Sequence, residues 1–231
     1  MDSVLSVLEI IGVVAFALSG AMIAIKSEMD IFGVCVLGVT TAVGGGIIRD
    51  LLLGIAPPSM LLNPLAALIA VCVSVFVFLP FVQRFFHSGK HKLYDRLVLI
   101  ADSIGLGVFT VMGVNICYSS YETPTLFMSV FLGVITGVGG GVLRDVMSKN
   151  KPYIFVKHFY ACASIAGALA CAILRTYVNE LIATVAGMLL VVSLRLLAAT
   201  LHWKLPKSKY SSEEKQSKEQ ETSNKTHSTV A

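Results

Sequence analysis

The sequence predicts an all-α membrane protein of seven transmembrane helices, arranged as two inverted three-helix repeats plus a seventh helix. Three observations carry this reading. Of 231 residues, 55% are apolar and 14% charged, whereas a soluble domain carries about 25% charged residues. Apolar runs long enough to cross a hydrocarbon core recur seven times. One segment of thirteen residues is written twice. A chain with so little charge cannot coat a globule. A soluble enzyme, a disordered scaffold and a nucleic-acid-binding domain are therefore excluded as first readings, and no nucleic-acid partner is expected.

A spanning helix needs about 20 mostly apolar residues. The spans fall near Val4–Ile25, Ile31–Leu53, Pro64–Gln83, Leu97–Cys117, Pro124–Met147, Phe159–Leu174 and Leu181–Leu201. Helices are the default because an open sheet would leave backbone groups unpaired in lipid. The first run begins with Asp2 rather than with Lys or Arg and is interrupted by Glu9. It reads as a retained span, not a cleavable signal. Pro57, Pro58, Pro64 and Pro152 mark helix ends.

Positive charge sets the orientation. With the N-terminus outside, the inner segments hold Lys26, then Arg84, Lys90, Lys92 and Arg96, then Lys149, Lys151 and Lys157, then six tail lysines. The outer segments hold Arg175 alone. The expectation is a multi-pass protein of the cell inner (plasma) membrane, N-terminus outside and C-terminus cytoplasmic. Residues 206–231 are Ser, Lys, Glu, Gln and Thr with few apolar groups and should be a disordered tail. Its lysines near the last span should touch membrane lipid headgroups. Trp203 should anchor the inner interface.

The doubled segment is Gly38-Val-Thr-Thr-Ala-Val-Gly-Gly-Gly-Ile-Ile-Arg-Asp50 and Gly133-Val-Ile-Thr-Gly-Val-Gly-Gly-Gly-Val-Leu-Arg-Asp145. Nine of the thirteen positions are identical, at an offset of 95. Upstream, Glu9, Gly12, Phe16 and Gly20 match Asp102, Gly105, Phe109 and Gly113 at an offset of 93; downstream, Pro57 matches Pro152. Spans 1–3 and 4–6 thus read as two copies of one unit. The division is 1–88 for the first repeat, 89–176 for the second, 177–205 for the seventh helix and 206–231 for the tail. An odd number of spans per copy makes the second enter the membrane from the opposite side, an architecture that recurs in transporters.

The residues marked for a pathway are Gly44, Gly45, Gly46, Arg49 and Asp50, with Gly139, Gly140, Gly141, Arg144 and Asp145. Each glycine costs a helix about 1 kcal/mol relative to Ala, so each triplet predicts an unwound kink whose main-chain polar groups face a wet route. The bland alternative is close helix packing. Adjacent residues on a helix point about 100° apart, so Arg49 and Asp50 are not expected to face each other. Arg49 and Arg144 are expected to seek an acid of the opposite copy, as a structural bridge, as part of a pathway, or as both. Glu9 and Asp102 are candidate charge partners or proton sites; Glu9 alternatively is a solvated acid near a helix start. Phe16 and Phe109 are packing residues or a plug. Arg195, in the last span, receives no functional reading.

Five cysteines lie in or at the ends of apolar runs without a C-x-x-C pair. Neither a disulfide framework nor a zinc site is expected. No cofactor is expected, nor any metal beyond transient monovalent cations. H-E-x-x-H, G-x-S-x-G and G-x-x-x-x-G-K-[ST] are missing, so no enzyme activity is expected.

The doubled G-V-G-G-G-[IV]-[IL]-R-D segment within two three-span copies resembles the bacterial membrane proteins with paired glycine-transporter domains, relatives of the trimeric intracellular cation channels. The likeness covers about residues 4–201. It implies a homotrimer with a pore in each protomer, and passage of K⁺ and Na⁺ past glycine-kinked helices 2 and 5. The six triplet glycines would line that pore. The alternative is a secondary transporter of glycine or another small zwitterion, its carboxylate held by an arginine and half-helix amides.

Overall fold

The computed structural model describes residues 2–87, 91–156 and 159–201. They form ten helices: α1 (Asp2–Lys26), α2 (Ile31–Leu52), α3 (Ser59–Leu62), α4 (Leu65–Phe78), α5 (Pro80–His87), α6 (His91–Ser120), α7 (Leu126–Met147), α8 (Tyr153–Val156), α9 (Tyr160–Leu174) and α10 (Glu180–Thr200). Among the described residues there is no strand. The expected tail over 206–231, Trp203, Lys90 and Lys157 lie outside them.

The helix ends follow from local chemistry, and they follow it twice. Asp30 accepts a hydrogen bond from the Gly33 amide at 2.7 Å and starts α2; Thr125 accepts one from the Met128 amide at 3.2 Å and starts α7. Both are N-caps that satisfy an otherwise orphaned donor. At the other ends, Gly54 (φ 71°) and Lys149 (φ 57°) take the left-handed conformation. Ile55 N–H then donates to the Asp50 carbonyl at 2.8 Å and Asn150 N–H to the Asp145 carbonyl at 2.9 Å, closing the same C-terminal motif.

Five helices, α1, α2, α6, α7 and α10, are long and apolar enough to span a membrane. Helices α4 and α9 are apolar but have only 14 and 15 residues. The span expected over Pro64–Gln83 therefore needs correction. It stops at Phe78 because Pro80 cannot continue it and holds Leu79 extended (φ −56°, ψ 136°). The 14 residues of α4 rise about 21 Å, short of a hydrocarbon core of about 30 Å.

Helices α1, α2, α6 and α7 pack on one another at the centre; α4 lies against α1 and α2, and α9 against α7 and α10. Small and polar residues fill the interior: Ala17, Ser19, Ala21, Thr41, Ser74, Thr110 and Ser164 are wholly buried. Phe32, Phe81 and Phe127 are at least 75% exposed. An interior of small groups beneath a greasy exterior is the arrangement of helices packed in lipid.

Candidate functional site

Helices α2 and α7 run unbroken through Gly44–Gly46 and Gly139–Gly141. The expected unwound kinks are not there, and this corrects the sequence reading. The glycines instead let two backbones touch. A Cβ on Gly45 would overlap the Thr136 carbonyl, and one on Gly140 would overlap the Thr41 carbonyl. The two contacts are equivalent across the repeat. Thr41 and Thr136 turn their hydroxyls inward along their own helices, each donating at 2.6 Å to a carbonyl four residues back, that of Leu37 or Leu132. Gly139 lies against Gly45; Gly44 faces the Leu143 side chain, Gly46 faces Met60 and Arg49, and Gly141 faces the Tyr160 hydroxyl. The packing alternative is the one realised.

The Arg-Asp pairs fold back on themselves. Arg49 donates through Nε and Nη2 to Asp50 Oδ1, at 2.9 and 2.7 Å. Arg144 Nε donates to Asp145 Oδ1 at 2.9 Å. This overturns the expectation that neighbours on a helix would look past each other: the angular rule applies to Cβ directions, and an arginine stem is long enough to curl round. It also overturns the expectation of acids from the opposite copy. The second oxygen of each aspartate has its own task. Asp50 Oδ2 accepts from Ser59 N–H and Asp145 Oδ2 from Tyr153 N–H, both at 2.8 Å. Each carboxylate therefore ties the end of a long helix to the short helix that follows.

Beyond this shared unit the copies diverge. Arg144 Nη1 reaches Asp102 Oδ1 at 2.7 Å and Ser19 Oγ at 2.6 Å. Asp102 Oδ2 accepts from Arg195 Nη2 at 3.0 Å. Tyr160 donates to Asp102 from 3.4 Å, and its ring lies under the Arg195 guanidinium at 4.6 Å. Tyr153 covers Arg144 at 5.1 Å. Arg144, Asp102 and Asp145 are at most 1% exposed and Arg195 is 3% exposed. Two cations and two carboxylates balance there, as buried ions must. Burial pushes the Tyr153 phenol above its ordinary range, against the pull of Arg144. Beside Tyr153 opens a cavity of about 330 Å³, lined on its polar side by Lys26, Ser27, Asp95, Asn150 and Lys151.

Glu9, the sequence counterpart of Asp102, has no such partner. No ion pair or hydrogen bond reaches it among the described residues, so its reading as a charge partner of Arg49 or Arg144 is corrected. It lines a cavity of about 270 Å³ between α1, α3 and α4. Phe16 and Phe109 stack with centroids 5.2 Å apart, both buried. Sequence reasoning missed Ser19, Tyr153, Tyr160 and Arg195. Only Arg195 carried a signal, as a charge within a span.

Similarity to known proteins follows the same layout. Residues 6–81 and 99–176 match the glycine transporter family. The UPF0126 inner membrane protein YadS of Escherichia coli K12 is 38% identical over 201 residues, covering 86% of this chain and 93% of its own length. A UPF0126 membrane protein of Deinococcus radiodurans is 35% identical over 201 residues, covering 86% of this chain and 89% of its own. Among solved structures, a prokaryotic TRIC channel in 0.5 M KCl superposes with a TM-score of 0.80 at 33% identity, over 89% of this chain and 100% of that one. A TRIC cation channel structure addressing conductance gives 0.76 at 39% identity, over 88% and 97%. The TRIC trimeric intracellular cation channel orthologue from Rhodobacter sphaeroides gives 0.78 at 31% identity, over 87% and 100%.

Proposed function

We propose that this chain, which belongs to the glycine transporter family of bacterial membrane proteins, is a monovalent cation channel. One observation carries the reading: its likeness to TRIC cation channels over nearly the whole of both chains at 31–39% identity. The permeant ions are K⁺ and Na⁺, and the assembly is a homotrimer with a pathway in each protomer. The chain crosses the membrane seven times, α4 and α9 being short crossings that a locally thinned bilayer accommodates, N-terminus outside and C-terminus cytoplasmic, with residues 1–88 and 89–176 as inverted repeats and α10 as the seventh crossing. Two separate matched stretches of the family support the repeat division.

The route runs from the Glu9 cavity on one side to the Lys26–Asp95 cavity on the other, past the α2–α7 crossing. At that crossing carbonyls sit where glycine side chains would be, and the Arg144–Asp102–Arg195 cluster is sealed from water. This is a shut form. Conduction requires α2 and α7 to part, which two helices joined by bare backbone, without interlocking side chains at Gly45 and Gly140, can do readily. Once parted, threonine hydroxyls and carbonyls replace part of the ion's water shell.

The second reading is a carrier of glycine or another small zwitterion, favoured by the family to which the chain belongs. K⁺ and glycine fluxes measured side by side on purified protein separate the two. Discrete K⁺ currents in planar bilayers support the channel. Saturable glycine uptake without unitary currents overturns it.

A further inference from the structure

We infer that the cavity at Glu9 is a cation-binding site at one mouth of the pathway, an inference that rests on the channel reading and adds to it a residue that concentrates the ion. The argument starts from the unequal fates of two equivalent acids. Asp102 is wholly buried, bridged by Arg144 and Arg195 and roofed by Tyr160. Glu9 stands at the matching point of the first copy, yet Arg49 is turned away onto Asp50. Where the second copy places Tyr153 at the start of α8 and Tyr160 at the start of α9, the first places Ser59 at the start of α3 and Leu65 at the start of α4. The smaller side chains leave the cavity of about 270 Å³, lined by Glu9, Ser6, Ser59, Asn63, Met60 and Leu65. The same framework is thus filled and neutralised on one side, and open and negatively charged on the other.

The oxygen chemistry of the lining selects the ligand. A carboxylate, two serine hydroxyls and a carboxamide are hard oxygen donors suited to an alkali cation. The carboxamide oxygen of Asn63 already accepts from the Leu65 amide at 3.2 Å, which fixes its orientation at the cavity wall. A half-buried carboxylate in a low-dielectric recess raises the local concentration of cations well above bulk, by about tenfold or more.

The test uses the full chain in planar bilayers, with wild type, Glu9→Gln and Glu9→Asp compared in KCl. Screening lengths are about 30 Å at 0.01 M and about 3 Å at 1 M. At the lower concentration Glu9→Gln should cut unitary K⁺ conductance by about threefold or more, while Glu9→Asp keeps it; at the higher concentration all three should converge. Equal conductance of Glu9→Gln and wild type at low salt overturns the site, as does a loss of the same size at both salts. A second measurement is independent of conduction and of the variant's folding: Tl⁺ soaked into crystals of wild type should give anomalous density in contact with the Glu9 carboxylate, and its absence there overturns the site. Wild type without K⁺ current overturns the channel reading itself, and the Tl⁺ result still decides whether Glu9 binds a cation.

Discussion

Arg144 and Asp102, 42 residues apart in sequence, meet at 2.7 Å with both side chains at 0% exposure. Asp102 also holds Arg195 of the last helix, so one carboxylate bridges two buried cations from different elements, with Asp145 completing the charge balance. Removing one partner of a buried pair costs about 3–5 kcal/mol, because the remaining charge is left unpaired. Asp102→Asn should therefore fall in that range. Arg195→Met leaves the Arg144–Asp102 contact intact and should lose on the order of 1–3 kcal/mol. Thermal unfolding in detergent, followed by loss of the monodisperse peak, checks the order. A milder effect for Asp102→Asn than for Arg195→Met contradicts the assignment of Asp102 as the hub.

Replacing the triplet glycines separates packing from conformational freedom. Gly45→Ala and Gly140→Ala would drive a methyl into an opposing carbonyl. Backbone cannot step aside cheaply, and each should lose about 1–3 kcal/mol or more. Gly46→Ala meets nothing nearer than 3.7 Å and should gain up to about 1 kcal/mol from helix propensity. Its counterpart Gly141→Ala meets the Tyr160 hydroxyl at 2.5 Å and should destabilise. The same stability assay reads all four. A tolerated Gly45→Ala beside a harmful Gly46→Ala reverses the picture.

What the sequence disclosed and what it withheld differ for a physical reason. The Arg-Asp pairs at 49–50 and 144–145 were legible as positions because the repeat writes them twice, but the bonds Asp50 and Asp145 make to Ser59 and Tyr153, and the caps at Asp30 and Thr125, emerge only from the fold. The glycine triplets were ambiguous: three glycines weaken a helix, but they also admit a neighbour's backbone, and only the neighbour decides. Thr136 and Thr41 decided for the crossing. Arg195 lies 93 residues from the acid it binds, and no repeat mate or motif marks it. The self-chelation of Arg49 and Arg144 was misjudged because the reading used Cβ directions and ignored the reach of the side chain.

The two aspartates that follow the arginines should govern two separate loops. Asp50 Oδ2 holds the Ser59 amide, and Asp145 Oδ2 holds the Tyr153 amide. A hydrogen bond to a charged group contributes about 1.5–3 kcal/mol. Asp50→Asn should speed amide hydrogen exchange in residues 54–62 and leave 149–153 near wild type. Asp145→Asn should do the converse. Exchange that rises equally in both segments for either variant indicates global loosening and defeats the local account.

The last prediction concerns the stacked pair at the centre. Phe16 lies against Gly105 and near Gly140 while stacking on Phe109 at 5.2 Å, so it occupies the space beside the crossing, on the route proposed above. If the α2–α7 crossing is the barrier, thinning this ring should lower it. Phe16→Leu keeps most of the apolar volume and should lose about 1 kcal/mol of stability, well short of the about 3–5 kcal/mol for Phe→Ala. Proteoliposomes loaded with K⁺ should then leak faster through Phe16→Leu than through wild type, at matched protein content and with Glu9 intact. A variant that folds, loses the expected stability and leaks no faster assigns Phe16 to packing alone and moves the barrier to the ionic cluster around Arg144.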